Sequence, residues 1–218
     1  MSAVDEYQAA AEQLATETAR EVLAVYADLT TERIPPNAAA LWIAAAINRA
    51  NAAAVTLADV WLSVQIEELA GQPVPTVGVL PVDNSERLTK AATTVLDDAA
   101  SYSRQKSVTP DQPAESEILA NEPVAPEPRL ERLARAEVFE TAQQATLDAM
   151  QKQPLVDGWV RHMDADPCQL CRWWWREGRI WPKAHPMPRH KGCNCTPHVV
   201  LTESVASTGF TRQLERNT

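Results

Sequence analysis

Apolar residues recur at helical spacing through most of the first 150 positions, and the pattern changes character after Pro154. Tyr7, Ala11, Leu14, Val22 and Val25 form one stripe with Thr18 as its polar gap, which predicts a helix from Val4 to about Leu29. The segment Thr30–Arg33 and the pair Pro35-Pro36 interrupt it. Asn37 is then placed to cap a long helix ending at Gly71, with Leu57, Trp61 and Val64 as its buried stripe. At 1.5 Å per residue such a helix is roughly 50 Å long. Three prolines make residues 71–83 a loop, and Ser85 is a candidate cap for a third helix to about Ser103. A fourth helix is expected from Arg129 to Gln151, with Leu130, Leu133, Val138 and Ala142 on one face.

Residues 107–128 hold five prolines with Ser, Glu and Asp, a linker composition that also admits a short helix over 115–120. The segment reads as a solvated tether between helices, and the sharper reading is a recognition segment for a partner groove. Beyond Pro154, Gly158–Met163 and Pro197–Thr202 read as short strands, and Arg172–Glu177 as a helical turn or two stopped by Gly178. The fold class expected is mainly α: a helical region over 1–106, then a small α+β module over 159–200, then a tail over 203–218.

Composition sharpens this picture. The chain of 218 residues has only 6 Gly and 2 Phe and is rich in alanine, which favours helices but buries little area per residue. A thin core follows for the first half, with helices that either pack closely or dock on a larger assembly. The stretch from Ala38 to Val55 is apolar, yet Asn48 and Arg49 break it, so no membrane span is expected. The N-terminus is acidic and carries no secretory pattern, pointing to a reducing cytoplasm.

Charge is unevenly spread. Residues 159–198 carry seven Lys/Arg against three Asp/Glu, a balance of +4, which leaves −13 for the rest of a chain whose net charge is −9. A bound zinc with four thiolates adds about −2, and with three thiolates and a histidine about −1. An acidic helical body argues against wrapping nucleic acid along its length.

All four cysteines and all four histidines lie between His162 and His198, with four of the seven tryptophans. Cys168-x2-Cys171 presents two thiolates from one tight turn, and His190-x2-Cys193-x-Cys195 offers three further donors. Clustered thiolates and imidazoles suit tetrahedral Zn²⁺. Two ligand sets are open: the four cysteines, or Cys168, Cys171 and His190 with one of Cys193 and Cys195. His185 and His198 are further candidates. Zinc binding in such modules contributes roughly 10 kcal/mol or more to folding.

With these residues in place, the chain resembles a known family. Asp164-x3-Cys168-x2-Cys171 followed by Pro188-x-His190-x2-Cys193-x-Cys195 resembles the C-terminal signature of MuF-like minor head proteins of tailed phages. The runs from Trp173 to Gly178 and from His185 to His190 are similar to versions from phages of actinobacteria. The resemblance covers a C-terminal domain over 129–202. It implies a low-copy virion component inside the capsid, associated with the portal protein and linked to DNA packaging or ejection. Contact with the major capsid protein, the scaffold or packaged DNA is a further implication. Some relatives carry the domain fused to a maturation protease. This chain departs from the pattern in its tryptophan triplet and in having Ala165-Asp166-Pro167, without an arginine, between Asp164 and Cys168.

Other chemistry was weighed residue by residue. Trp173, Trp174 and Trp175 cannot all face inward on a short turn; one or two pack over the metal and another caps the helical body. Alternatively, with Arg172, Arg176 and Arg179 they form an aromatic anchor for a partner protein or a base-stacking surface of a DNA-binding zinc module. Asp164, Asp166 and His162 read as a turn supporting the metal ligands rather than a catalytic cluster. A serine protease needs a histidine base, and every histidine lies in the metal segment. A thiol protease would take a cysteine from the ligand set. The expectation is a structural protein, with a maturation-protease component or metal-dependent hydrolase as the enzymatic alternative.

Overall fold

The structure, a computed structural model, describes residues 2–108 and 125–201. Four long helices come first: α1 (Ala3–Thr30), α2 (Pro36–Ala70), α3 (Ser85–Val108) and α4 (Pro126–Lys152). A small module follows, made of β1 (Val156–His162), α5 (Gln169–Trp175), a 3-10 turn (Arg176–Gly178), β2 (Trp181–Pro182) and β3 (Thr196–Leu201). The chain is thus mainly helical and ends in a small α+β module. The short helix expected over 115–120 and the tail over 203–218 lie outside the described residues.

Helix starts differ instructively from the sequence reading. α1 opens with a capping box, in which the Ser2 hydroxyl accepts from the Asp5 N–H and the Asp5 carboxylate accepts from the Ser2 N–H. These two Ser2 donors hold the Asp5 carboxyl down to about 2. α2 has Pro35 at its cap and Pro36 at its first position, so Asn37 lies inside the helix and caps nothing. Proline is suited there because the first N–H groups of a helix have no intrahelical partner. The same reason lets α4 start at Pro126, three residues before the expected Arg129. Ser85 is the first residue of α3, and Asp83 in front of it accepts both its N–H and its hydroxyl. Gly71 ends α2 as expected, in the left-handed conformation.

α2 is the central helix, packed by α1, α3 and α4. Length and composition alone would let it cross a membrane, yet in this fold its core-facing residues lie against the other helices. Its most buried stripe runs through Ala54, Ala58, Leu62 and Ile66. Leu57, Trp61 and Val64, expected to mark that stripe, are only half-buried and flank it. The cause is alanine: where backbones approach closely the smallest side chain takes the centre line, and larger neighbours fill the margins.

The core is continuous from end to end. Ile43 and Ile47 meet Val22, Leu88, Ala92 and Leu130 at one end of the bundle, and Tyr7, Ala11, Ala54, Phe139 and Ala142 occupy its middle. At the other end Leu62, Ile66 and Met150 pack against Trp159, Val199, Cys171, Cys193 and Cys195. The cysteines are therefore part of the same apolar interior that holds the helices.

The sheet has the order β2-β1-β3 and is antiparallel throughout. Trp159 is fully buried and donates its indole N–H to the carbonyl of His185 at 3.1 Å. β1 can approach β2 because Gly158 has no side chain: a Cβ there would sit 2.6 Å from the carbonyl oxygen of Trp181. Gly158→Ala is expected to push β2 away and destabilise the module by about 1–3 kcal/mol, measured as a lower midpoint in denaturant unfolding followed by tryptophan fluorescence.

Candidate metal centre

The first pair of donors comes from α5. Cys168 stands at its N-terminal cap and Cys171 in its first turn, a three-residue step that puts both sulfurs on one side of the helix. The second group comes from the tight turn before β3, where the Cys193 N–H bonds to the His190 carbonyl at 3.3 Å. Gly192 provides the positive φ of 77° that this turn requires. Cys193 then folds back so that its sulfur accepts from the Cys195 N–H at 3.4 Å.

These turns bring five donors together. His190 Nε2 lies 3.1 Å from Cys168 Sγ and 3.2 Å from Cys171 Sγ, and Cys171 Sγ lies 3.4 Å from Cys193 Sγ. Two trios result, Cys168–Cys171–His190 and Cys171–Cys193–Cys195, with Cys171 common to both. The four cysteines are free thiols. Around a tetrahedral zinc, with Zn–S near 2.3 Å and Zn–N near 2.0–2.1 Å, ligand atoms stand about 3.5–3.8 Å apart. The observed separations are slightly shorter, so the donors are already gathered at the required scale. This largely buried cluster could hold a metal ion such as zinc.

Electrostatics favour the same chemistry. Burial is the main reason the Cys171 thiol is pushed up to about 12. The Cys193 hydrogen bond, followed by burial, raises Cys195. Without a cation these sulfurs keep their protons, and a bound divalent ion would replace them.

One side chain beside the cluster was not singled out by the sequence. Arg161, on β1, is only 2% exposed. One guanidinium nitrogen lies 3.9 Å from Cys171 Sγ, the other donates to the Pro188 carbonyl, and the plane rests 5.4 Å from the Trp174 ring centre. No carboxylate pairs with it among the described residues. A buried cation without a counter-charge is costly; deprotonated thiolates around a metal would supply that charge. Gln143 on α4 was also missed: its amide N–H groups donate to the carbonyls of Cys193 at 2.6 Å and Cys195 at 2.8 Å. Gln8 on α1 donates to the Asn194 carbonyl at 3.0 Å, and Asn194 returns a bond to the Gln8 carbonyl at 2.9 Å. Two helices thus fix the second donor turn. Neither glutamine carried a signal beyond a polar gap in a helical stripe.

The remaining candidates separate. His185 stacks on Trp181 with ring centres 4.2 Å apart, and His198 packs edge-on against His162; neither belongs to the donor trios. His162 Nε2 lies 3.0 Å from an Asp5 carboxylate oxygen, joining β1 to the start of α1. Asp164 accepts the Asp166 N–H at 3.1 Å, a turn-forming contact. Trp174 leans on His190, with ring centres 6.1 Å apart. Trp173 is 58% exposed and carries Arg176 over its face at 4.1 Å. Arg172 and Arg179 are exposed, with Arg179 stacked on Trp181. Arg176 and Glu177 both have positive φ, which costs about 1–2 kcal/mol per residue. That reversal ends α5 abruptly and leads the chain back to β2.

No protein-family model matches this chain, and no curated protein or solved structure matches it either.

Two outcomes follow. Zinc uptake displaces protons held on buried thiols, so the apparent affinity rises with pH by about tenfold per unit for each proton displaced. Competition against a chromophoric chelator over a pH series measures this. Arg161→Gln lowers zinc affinity by about 10–100-fold at unchanged helix content, with Arg161→Lys restoring part of the loss in the same assay.

Proposed function

We propose that this chain is a structural protein whose C-terminal module is held by zinc, and that it serves as a minor head protein at the portal vertex of a tailed phage. The observation that carries the first half is the meeting of two donor turns on Cys171. Sulfur-rich donors in a tight, largely buried cluster match structural zinc sites, which are closed, better than catalytic ones, which keep an open position. The ligand set favoured is Cys168, Cys171 and His190 with Cys193, because His190 touches both cysteines of α5 and Cys193 touches Cys171.

The second half rests on the resemblance of the Cys/His spacing to MuF-like proteins, supported by a long-helix body ahead of the module. In this reading the helical body docks on the portal or inner capsid. Trp173 with Arg176 forms an exposed aromatic-cation pair suited to a protein contact. The three exposed arginines Arg172, Arg176 and Arg179 beside Trp173 favour a second reading, contact with packaged DNA. The net charge of −9 places that reading behind a protein partner.

Cys171→Ser is expected to abolish zinc binding and the near-ultraviolet signature of the buried Trp159, while far-ultraviolet helicity persists because the cores at the distant end and middle of the bundle do not use the module. Turnover loss without structural loss would instead support an enzyme. Tagged chain co-expressed with the portal protein of its own phage is expected to retain it through affinity purification. Failure to retain it would overturn the portal reading.

A further inference from the structure

Asn51, on the face of α2 turned toward α4, is only 2% exposed, and neither its amide nitrogen nor its carbonyl oxygen has a hydrogen-bond partner. Buried amides are almost always paired, and leaving one unmade is costly. This amide lines a cavity of about 680 Å³ between α2, α4, the loop after α2 and the turn that carries His190. Its position at a cavity wall makes it a group held ready for a ligand.

The cavity is walled by features that the metal centre does not use. Arg189 closes one side by donating to the Gln144 side chain at 2.9 Å and to the Glu140 carbonyl at 3.4 Å. The opposite side is the loop over residues 72–84. Asp59 accepts the N–H groups of Val77, Gly78 and Val79, and Asn48 accepts that of Asn84, so both ends of the loop's final stretch are pinned to α2. Between the pins Leu80 and Val82 line the same cavity and are 81% and 72% exposed. They stand two residues apart in irregular, non-helical chain. Two large apolar side chains beside a buried, unpaired amide form a surface with both apolar and directional character.

The chemistry of the wall selects its ligand. A side-chain amide offers N–H donors and a carbonyl acceptor side by side, and the complement is a group with an adjacent C=O and N–H. One backbone peptide unit supplies both. We propose that this cavity is a docking groove for an extended peptide segment of a partner protein, which pairs one peptide unit with the Asn51 amide and rests an apolar side chain on Leu80 and Val82. The inference goes beyond the zinc and portal readings and stands or falls apart from them, since its probe contains neither metal nor portal protein.

The test pans the full zinc-loaded chain against a displayed library of random linear peptides, with Asn51→Leu as the counter-target. Peptides sharing an apolar position are expected to enrich on the parent chain. Each is expected to bind Asn51→Leu at least about tenfold more weakly. The same variant is expected to melt at a higher temperature, because it removes an unpaired buried amide. Leu80→Ser, at an exposed position that leaves the core untouched, is expected to weaken the same peptides. No enrichment over the counter-target overturns the proposal, as does equal binding by Asn51→Leu. A lower melting temperature for Asn51→Leu overturns it too, because the amide would then be supporting the fold.

Discussion

Cys171 is the atom-level junction of this protein. Its sulfur is in reach of both donor turns, one starting α5 and the other leading into β3. Without a shared ion, these turns are joined through thiols that burial keeps protonated and through a few hydrogen bonds. Zinc coordination contributes roughly 10 kcal/mol or more in such modules, comparable with the whole net stability of a typical domain. Whether β1, β2 and β3 hold together therefore depends far more on this one point than on a sheet whose outer strand, β2, is two residues long.

The module is not an appendage on the helices. Met150, Leu62 and Ile66 share an apolar cluster with Cys171, Cys193 and Cys195. Gln143 and Gln8 hold the second donor turn through its backbone carbonyls, and Gln65 accepts the Val199 N–H at 2.7 Å. A helical surface that orients backbone in this way pre-organises the donors, so less ordering is left for the ion to impose. Arg161 places a positive charge against the same sulfurs, the right sign for a centre with net negative charge.

Much of this was legible in the sequence, and the boundary of legibility is physical. Helical periodicity located α1 to α4, and the Cys/His spacing located the donor turns, because both signals are local. The centre line of α2 was misread at Leu57, Trp61 and Val64, since close packing selects alanine there and size is a poor guide to burial. The caps at Asn37 and Ser85 were misplaced because proline and Asp83 do that work. Arg161, Gln143 and Asn51 carry no local pattern at all. Their meaning comes from partners 10 to 52 positions away, or from the lack of a partner in a buried site.

Zinc K-edge X-ray absorption on the purified chain addresses the centre most directly. One zinc per chain is expected, with a first shell dominated by sulfur near 2.3 Å and one nitrogen near 2.0–2.1 Å. A folded chain without metal, or an ion surrounded mainly by oxygen, would contradict a centre built on Cys171.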